Sequence, residues 1–155
     1  MRQPGQNLLI AAAFFTALAA LAHIGCIVFG AEWYRFFGAG EEMARMAEAG
    51  HWYPAAVTAA IVALLLIWSL YALSGAGVIR RLPFLRLALC LIAAIFLVRG
   101  VAFVGLMPAF PENSLTFWLV SSSICLVLGA LYAFGTYHKW TALSGNSAPT
   151  PKNLN

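Results

Sequence analysis

The chain has 155 residues, of which 63% are hydrophobic and only 9% charged, with a net charge of +4 and a mean hydropathy of +0.86. A soluble domain clothes its surface with roughly 25% charged residues, so this composition excludes an ordinary water-soluble globule and makes lipid the expected solvent. The basic residues are dispersed rather than gathered on one face, which argues against a nucleic-acid partner and fits the cationic bias of loops that flank membrane spans.

Met1–Asn7 is short and polar, and Leu8–Gly30 is then continuously apolar. At ~1.5 Å per residue this run crosses the ~30 Å hydrocarbon layer. It is longer than the about 7–15 apolar residues of a secretory signal, so it is read as a retained first span. Residues 31–53 form the longest loop and carry Glu32, Glu41, Glu42 and Glu48 against Arg35 and Arg45. Within it, Glu41–Ala49 predicts a short amphipathic helix: Gly40 and Gly50 bracket it, two glutamates favour its start, and Met43, Ala44, Met46 and Ala47 make an apolar stripe.

Pro54 suits the first turn of a second span reaching about Leu73, where Ser74-Gly75-Ala76-Gly77 is expected to break it. A basic connection with Arg80, Arg81 and Arg86 leads into a third apolar run, Leu87–Met107, closed by Pro108 and Pro111. Ser114 is the expected N-cap of a fourth span over residues 115–137. Residues 144–155 are polar with two prolines and are expected to be a disordered cytoplasmic tail. The expected fold is thus all-α: a four-transmembrane-helix bundle, residues 1–143, with a short amphipathic helix in the first extracytoplasmic loop. All five acids lie on one side of it, and most cations on the other, which places both termini in the cytoplasm.

Chemistry is harder to read. Cys26, Cys90 and Cys125 lie singly in apolar runs, an odd count without paired spacing. No Asp exists to orient a catalytic histidine, and no nucleophile set is evident. Met43, Met46 and His51 are donors that suit copper, but the methionines serve equally as the apolar stripe, and neither a metal site nor a cofactor is assigned.

One residue stands out. Arg99 sits near the middle of the third apolar run, where a charge is rare and costly. It needs a partner: Glu32, an acid of the first loop, His23 or Ser122, with Arg99, His23, Glu32 and Ser122 forming a candidate polar ligand site. The first helix aligns Ala12, Thr16, Ala19, His23, Cys26 and Gly30 on one small or polar face. The fourth aligns Trp118, Ser122, Cys125, Gly129, Tyr132 and Thr136, and such faces are where membrane helices pack closely. A non-enzymatic protein binding a membrane lipid or small amphipathic ligand in an outward-facing pocket is the first expectation. An accessory subunit, packed against a membrane-protein partner or its own copies through small faces, is the second.

The segments Tyr71-Ala-Leu-Ser-Gly-Ala-Gly77, Arg80-Arg-Leu-Pro83 and Leu97-Val-Arg-Gly100 resemble a group of small, uncharacterised bacterial four-helix inner-membrane proteins. Phe36-Phe-Gly-Ala-Gly-Glu41 looks like that group's first loop. Size and helix count are similar to DoxX-like and EXPERA-type proteins, in architecture only. The resemblance implies a four-helix fold and a bacterial inner membrane, and no activity.

Overall fold

A computed structural model describes residues 4–109, 111 and 113–143; the expected tail, Arg2 and Glu112 lie outside the described residues. The described chain is all-helical. Helix α1 is Pro4–Phe29, α2 Ala31–Phe36, α3 Glu41–Glu48, α4 Trp52–Ala76, α5 Leu85–Val101, α6 Phe103–Leu106, α7 Leu115–His138 and α8 Trp140–Leu143, with a 3-10 turn over Met107–Ala109. Helices α1, α4 and α7 are each long and apolar enough to cross a membrane, and α5 with its bent continuation would make a fourth span.

Helix α1 packs against both α4 and α7, and α5 packs mainly on α7. The expected small faces turn inward. Ala12, Thr16 and Cys26 of α1 are buried, as are Trp118, Ser122, Gly129, Tyr132 and Thr136 of α7. Thr16 Oγ1 and Tyr132 Oη lie 3.2 Å apart, and Tyr132 donates to the Trp68 carbonyl at 3.0 Å, so one phenol ties α1, α4 and α7 together. Ser69 donates to the Ala13 carbonyl at 2.9 Å. Large apolar side chains such as Phe14, Leu21, Val28, Leu64, Leu91 and Val127 stay exposed on the outer surface. A water-soluble monomer does not carry apolar surface on this scale, because nothing offsets its hydration.

Helix ends follow local chemistry. Gly77 has φ +77°, and the N–H groups of Gly77 and Val78 close on the carbonyls of Ser74 and Leu73. The helix therefore ends at Gly77 rather than at the expected Leu73, in a left-handed glycine cap. Ser74, instead of breaking the helix, donates to the Arg80 carbonyl and accepts from the Leu82 N–H, clipping the α4–α5 connection down. Ser114 caps α7 as expected, accepting from the Phe117 N–H at 3.1 Å.

The third apolar run is not one straight helix. It bends by 57° at Ala102, between Leu85–Val101 and Phe103–Ala109. Pro108, which has no N–H to give the Val104 carbonyl, lies past the bend, in the 3-10 turn that follows the continuation. The Ala102 carbonyl accepts from both Gly105 and Leu106, which starts a new turn in a new direction. Arg99 consequently lies in the last turn of α5, not in the middle of a span. There the helix dipole favours a cation.

The two ends of the molecule differ in charge. At one end lie α2 and α3 with four glutamates; at the other lie Arg80, Arg81, Arg86 and Lys139. At the acidic end α3 forms as expected, with Ala44 fully buried on its apolar side. Helix α2, read from the sequence as loop, is held by packing: Trp33 lies against Gly25, and its carbonyl faces the Cys26 thiol. Asn113 reaches across from the α6–α7 connection to the Gly38 carbonyl at 3.2 Å.

Arg35 is the clamp of this end. Its guanidinium meets Glu32 at 3.0 Å, Glu41 at 2.9 Å and Glu48 at 2.8 Å, and Arg45 adds a 3.5 Å approach to Glu41. The hydrogen bond from Arg35 holds the Glu41 carboxyl below the usual glutamate range. Because the folded value is depressed, the clamp is fully present above the ordinary glutamate value and is lost as pH falls through the folded one. Hydrogen-exchange protection across α3, measured against the intrinsic rate at each pH, is therefore expected to fall in acid, below about pH 4, while the middle of α7 stays protected. Arg35→Ala should produce the same pattern at neutral pH. Uniform acid loosening of α3 and α7 together would contradict a local clamp.

Candidate functional site

Helices α5 and α7 approach each other through two glycines. A Cβ added at Gly100 would lie 2.6 Å from Leu126 Cγ, and one at Gly129 would lie 2.7 Å from Leu97 Cγ and 3.0 Å from the Leu97 backbone nitrogen. Leucine on each helix thus fills the space that glycine leaves on the other. Arg99 lies within this crossing, between Leu97 and Gly100, and its side chain reaches toward the acidic end.

The guanidinium of Arg99 reaches α7. Nη2 donates to Ser121 Oγ at 3.5 Å, the long limit of a hydrogen bond. Its central carbon stands 5.7 Å from the Trp118 ring centroid, inside cation–π range. The other terminal nitrogen, Nη1, is buried and has no acceptor among the described residues, and the Ser122 hydroxyl is buried and likewise has no partner among them. Ser121 and Ser122 stand about 9–10 Å along α7 from Leu115, its acidic-end terminus.

The four residues singled out from sequence do not converge. Arg99 meets α7, but the hydroxyl it reaches is Ser121, not Ser122. Glu32 is exposed and pairs with Arg35. The other acids that meet Arg35, Glu41 and Glu48, are spent in the same clamp. His23 donates through Nδ1 to the Ala19 carbonyl at 2.8 Å, a bond to its own helix. Local partners win in both cases, since they need no chain closure and little side-chain ordering. The sequence pointed to Ser122 because it shares a face with Trp118 and Gly129. That face is buried, yet in Ser121-Ser122-Ser123 a long side chain from α5 meets the residue one step around the helix.

The Arg99 guanidinium thus offers a buried N–H that no described residue accepts, with the Trp118 ring at cation–π range. Two open grooves lie elsewhere. One, about 560 Å³, is apolar and runs along α1 from Leu18 to Val28 beside Trp33. The other, about 660 Å³, lies at the basic end beside Arg81 and Arg86. Among the described residues no cluster of three His, Cys or acidic side chains could hold a metal ion. Comparison with known proteins finds no family, no curated relative and no solved structure that matches this chain.

Proposed function

We propose that the chain is a four-span protein of a bacterial inner membrane, with both termini cytoplasmic and α2–α3 on the outer face. In this reading it binds a membrane lipid or small amphipathic molecule between α5 and α7. An anionic or carbonyl oxygen of that molecule meets Arg99 Nη1 and the Ser122 hydroxyl, and its apolar part lies along the exposed leucines and valines beside them. The protein holds the molecule for transfer or presentation and carries out no chemistry on it.

The observation that supports this most is the buried Arg99 Nη1, which has no acceptor among the described residues; Ser122, next in α7 to the Ser121 that meets Nη2, is also buried without a partner there. A guanidinium keeps its charge, so it cannot escape by losing a proton. An unsatisfied buried N–H of a charged group costs more than 1–3 kcal/mol, which a ligand oxygen would relieve. Native mass spectrometry of the full chain from mild detergent tests the reading. It should show a retained adduct of lipid or small-molecule mass, lost on Arg99→Leu. Protein free of adducts under conditions that preserve other membrane complexes would contradict it.

One observation favours the second reading, an accessory subunit. Ala56, Ala59, Ala60 and Ala63 lie exposed on α4, a small-residue edge at helical spacing on the outer surface. Such an edge lets a partner helix approach closely. In that case the same spectra would show a homo-oligomer or a second protein, broken by Ala60→Leu.

A further inference from the structure

We propose that the groove at the basic end binds the phosphate of an anionic phospholipid, at a site separate from Arg99. The groove holds about 660 Å³ and is lined by Arg81, Leu82, Phe84, Arg86, Leu87 and Leu143. Both of its guanidiniums are held in place. Arg81 donates to the Leu143 carbonyl at the end of α8. Arg86 stacks on Trp140 of the same short helix, its central carbon 3.7 Å from the ring centroid. Each arginine has five N–H donors in a planar fork, so one carbonyl or one ring leaves most of them available to an anion.

Among the described residues, no carboxylate compensates the charge at this end. Every carboxylate among the described residues lies at the opposite end, and the ion pairs found there belong to Arg35 and Arg45. Arg86 is moreover in the first turn of α5, where the helix dipole disfavours a cation, and the preceding Phe84 offers no side-chain cap to the helix. An anion in the groove would relieve the repulsion between the arginines and the dipole mismatch together.

The groove's apolar rim makes the anion a lipid headgroup rather than free phosphate. Phe84 is 82% and Leu87 59% exposed, and Val78 and Ile79 of the same connection are exposed as well. In a bilayer these side chains would sit among acyl chains while the guanidiniums stand at headgroup level, the usual setting of a basic interfacial pocket. A free phosphate would leave them bare.

This inference rests on the membrane reading above, and its test separates the two. The full chain is reconstituted in nanodiscs of equimolar phosphatidylglycerol and phosphatidylcholine, and lipid adducts are counted by native mass spectrometry after release. Failure to incorporate would overturn the membrane reading itself. Once incorporated, the wild type should retain phosphatidylglycerol over phosphatidylcholine, with the preference about fivefold weaker in Arg86→Gln and largely kept in Arg86→Lys. Arg80→Gln, outside the groove, should leave the preference unchanged. Arg81→Gln should act like Arg86→Gln; if its lost bond to Leu143 unfolds the chain, the Arg86 pair decides alone. No preference in the wild type, an equal loss in Arg80→Gln, or displacement of the lipid by millimolar inorganic phosphate would each overturn the proposal.

Discussion

Gly129→Ala should be among the most destabilising single-methyl additions this chain can receive. The new Cβ would stand 2.7 Å from Leu97 Cγ and 3.0 Å from the Leu97 backbone nitrogen. A side-chain tip can swing aside, but a helix backbone cannot, so α5 and α7 must move apart along their shared face. Overpacking of this kind costs about 1–3 kcal/mol, and the upper half of that range is expected, seen as a lowered melting temperature in detergent. Gly105→Ala is the matched control. Nothing lies within 4 Å of its added Cβ, and the change should be neutral or slightly stabilising. Leu97→Ala should rescue Gly129→Ala in part, because it removes the side-chain clash and leaves the backbone one. Additive losses in the double variant would show that the two helices do not meet there.

Arg99→Leu should have the larger functional effect and a small structural one. An arginine at the centre of a span carries about 2.5–3.5 kcal/mol of insertion cost on translocon scales, and Arg99, in the last turn of α5, carries less. Here its structural return is a 3.5 Å hydrogen bond and one aromatic face. Leucine removes the buried N–H that no described residue accepts and adds apolar contact, as when a buried ion is replaced by a well-packed hydrophobe. The variant should therefore melt at or above the wild-type temperature while losing the co-purifying adduct. Arg99→Lys keeps a charge without the fork and should retain the adduct only in part. A clear fall in melting temperature for Arg99→Leu would instead make Arg99 a structural tie to Ser121 and Trp118.

What the sequence made legible was what single segments decide for themselves. The apolar runs of α1, α4 and α7, the Ser114 cap and the glycine-bracketed α3 each rest on residues close together in the chain. The inward turn of the small faces was legible too, because Ala12, Thr16 and Cys26 repeat at helical spacing. The bend at Ala102 was not: Val101–Met107 is apolar throughout, and no residue at the break itself signals a change of direction. Helix α2 was missed since its six residues hold together through Trp33 and Gly25 rather than by propensity. The Arg35 clamp was hidden for a related reason. Only Glu32 stands at a helical neighbour's spacing, whereas Glu41 and Glu48 reach Arg35 because α3 folds back. That fold-back in turn engages Glu41 and Glu48 with Arg35 rather than with Arg99.

The most direct test of the account is an experimental density map of the chain in a lipid nanodisc, read between α5 and α7. The account expects non-protein density within hydrogen-bond reach of Arg99 Nη1 and of the Ser122 hydroxyl, continuing outward along the apolar surface of the two helices. A crossing closed by its own side chains, with Nη1 satisfied by a protein oxygen, would contradict it.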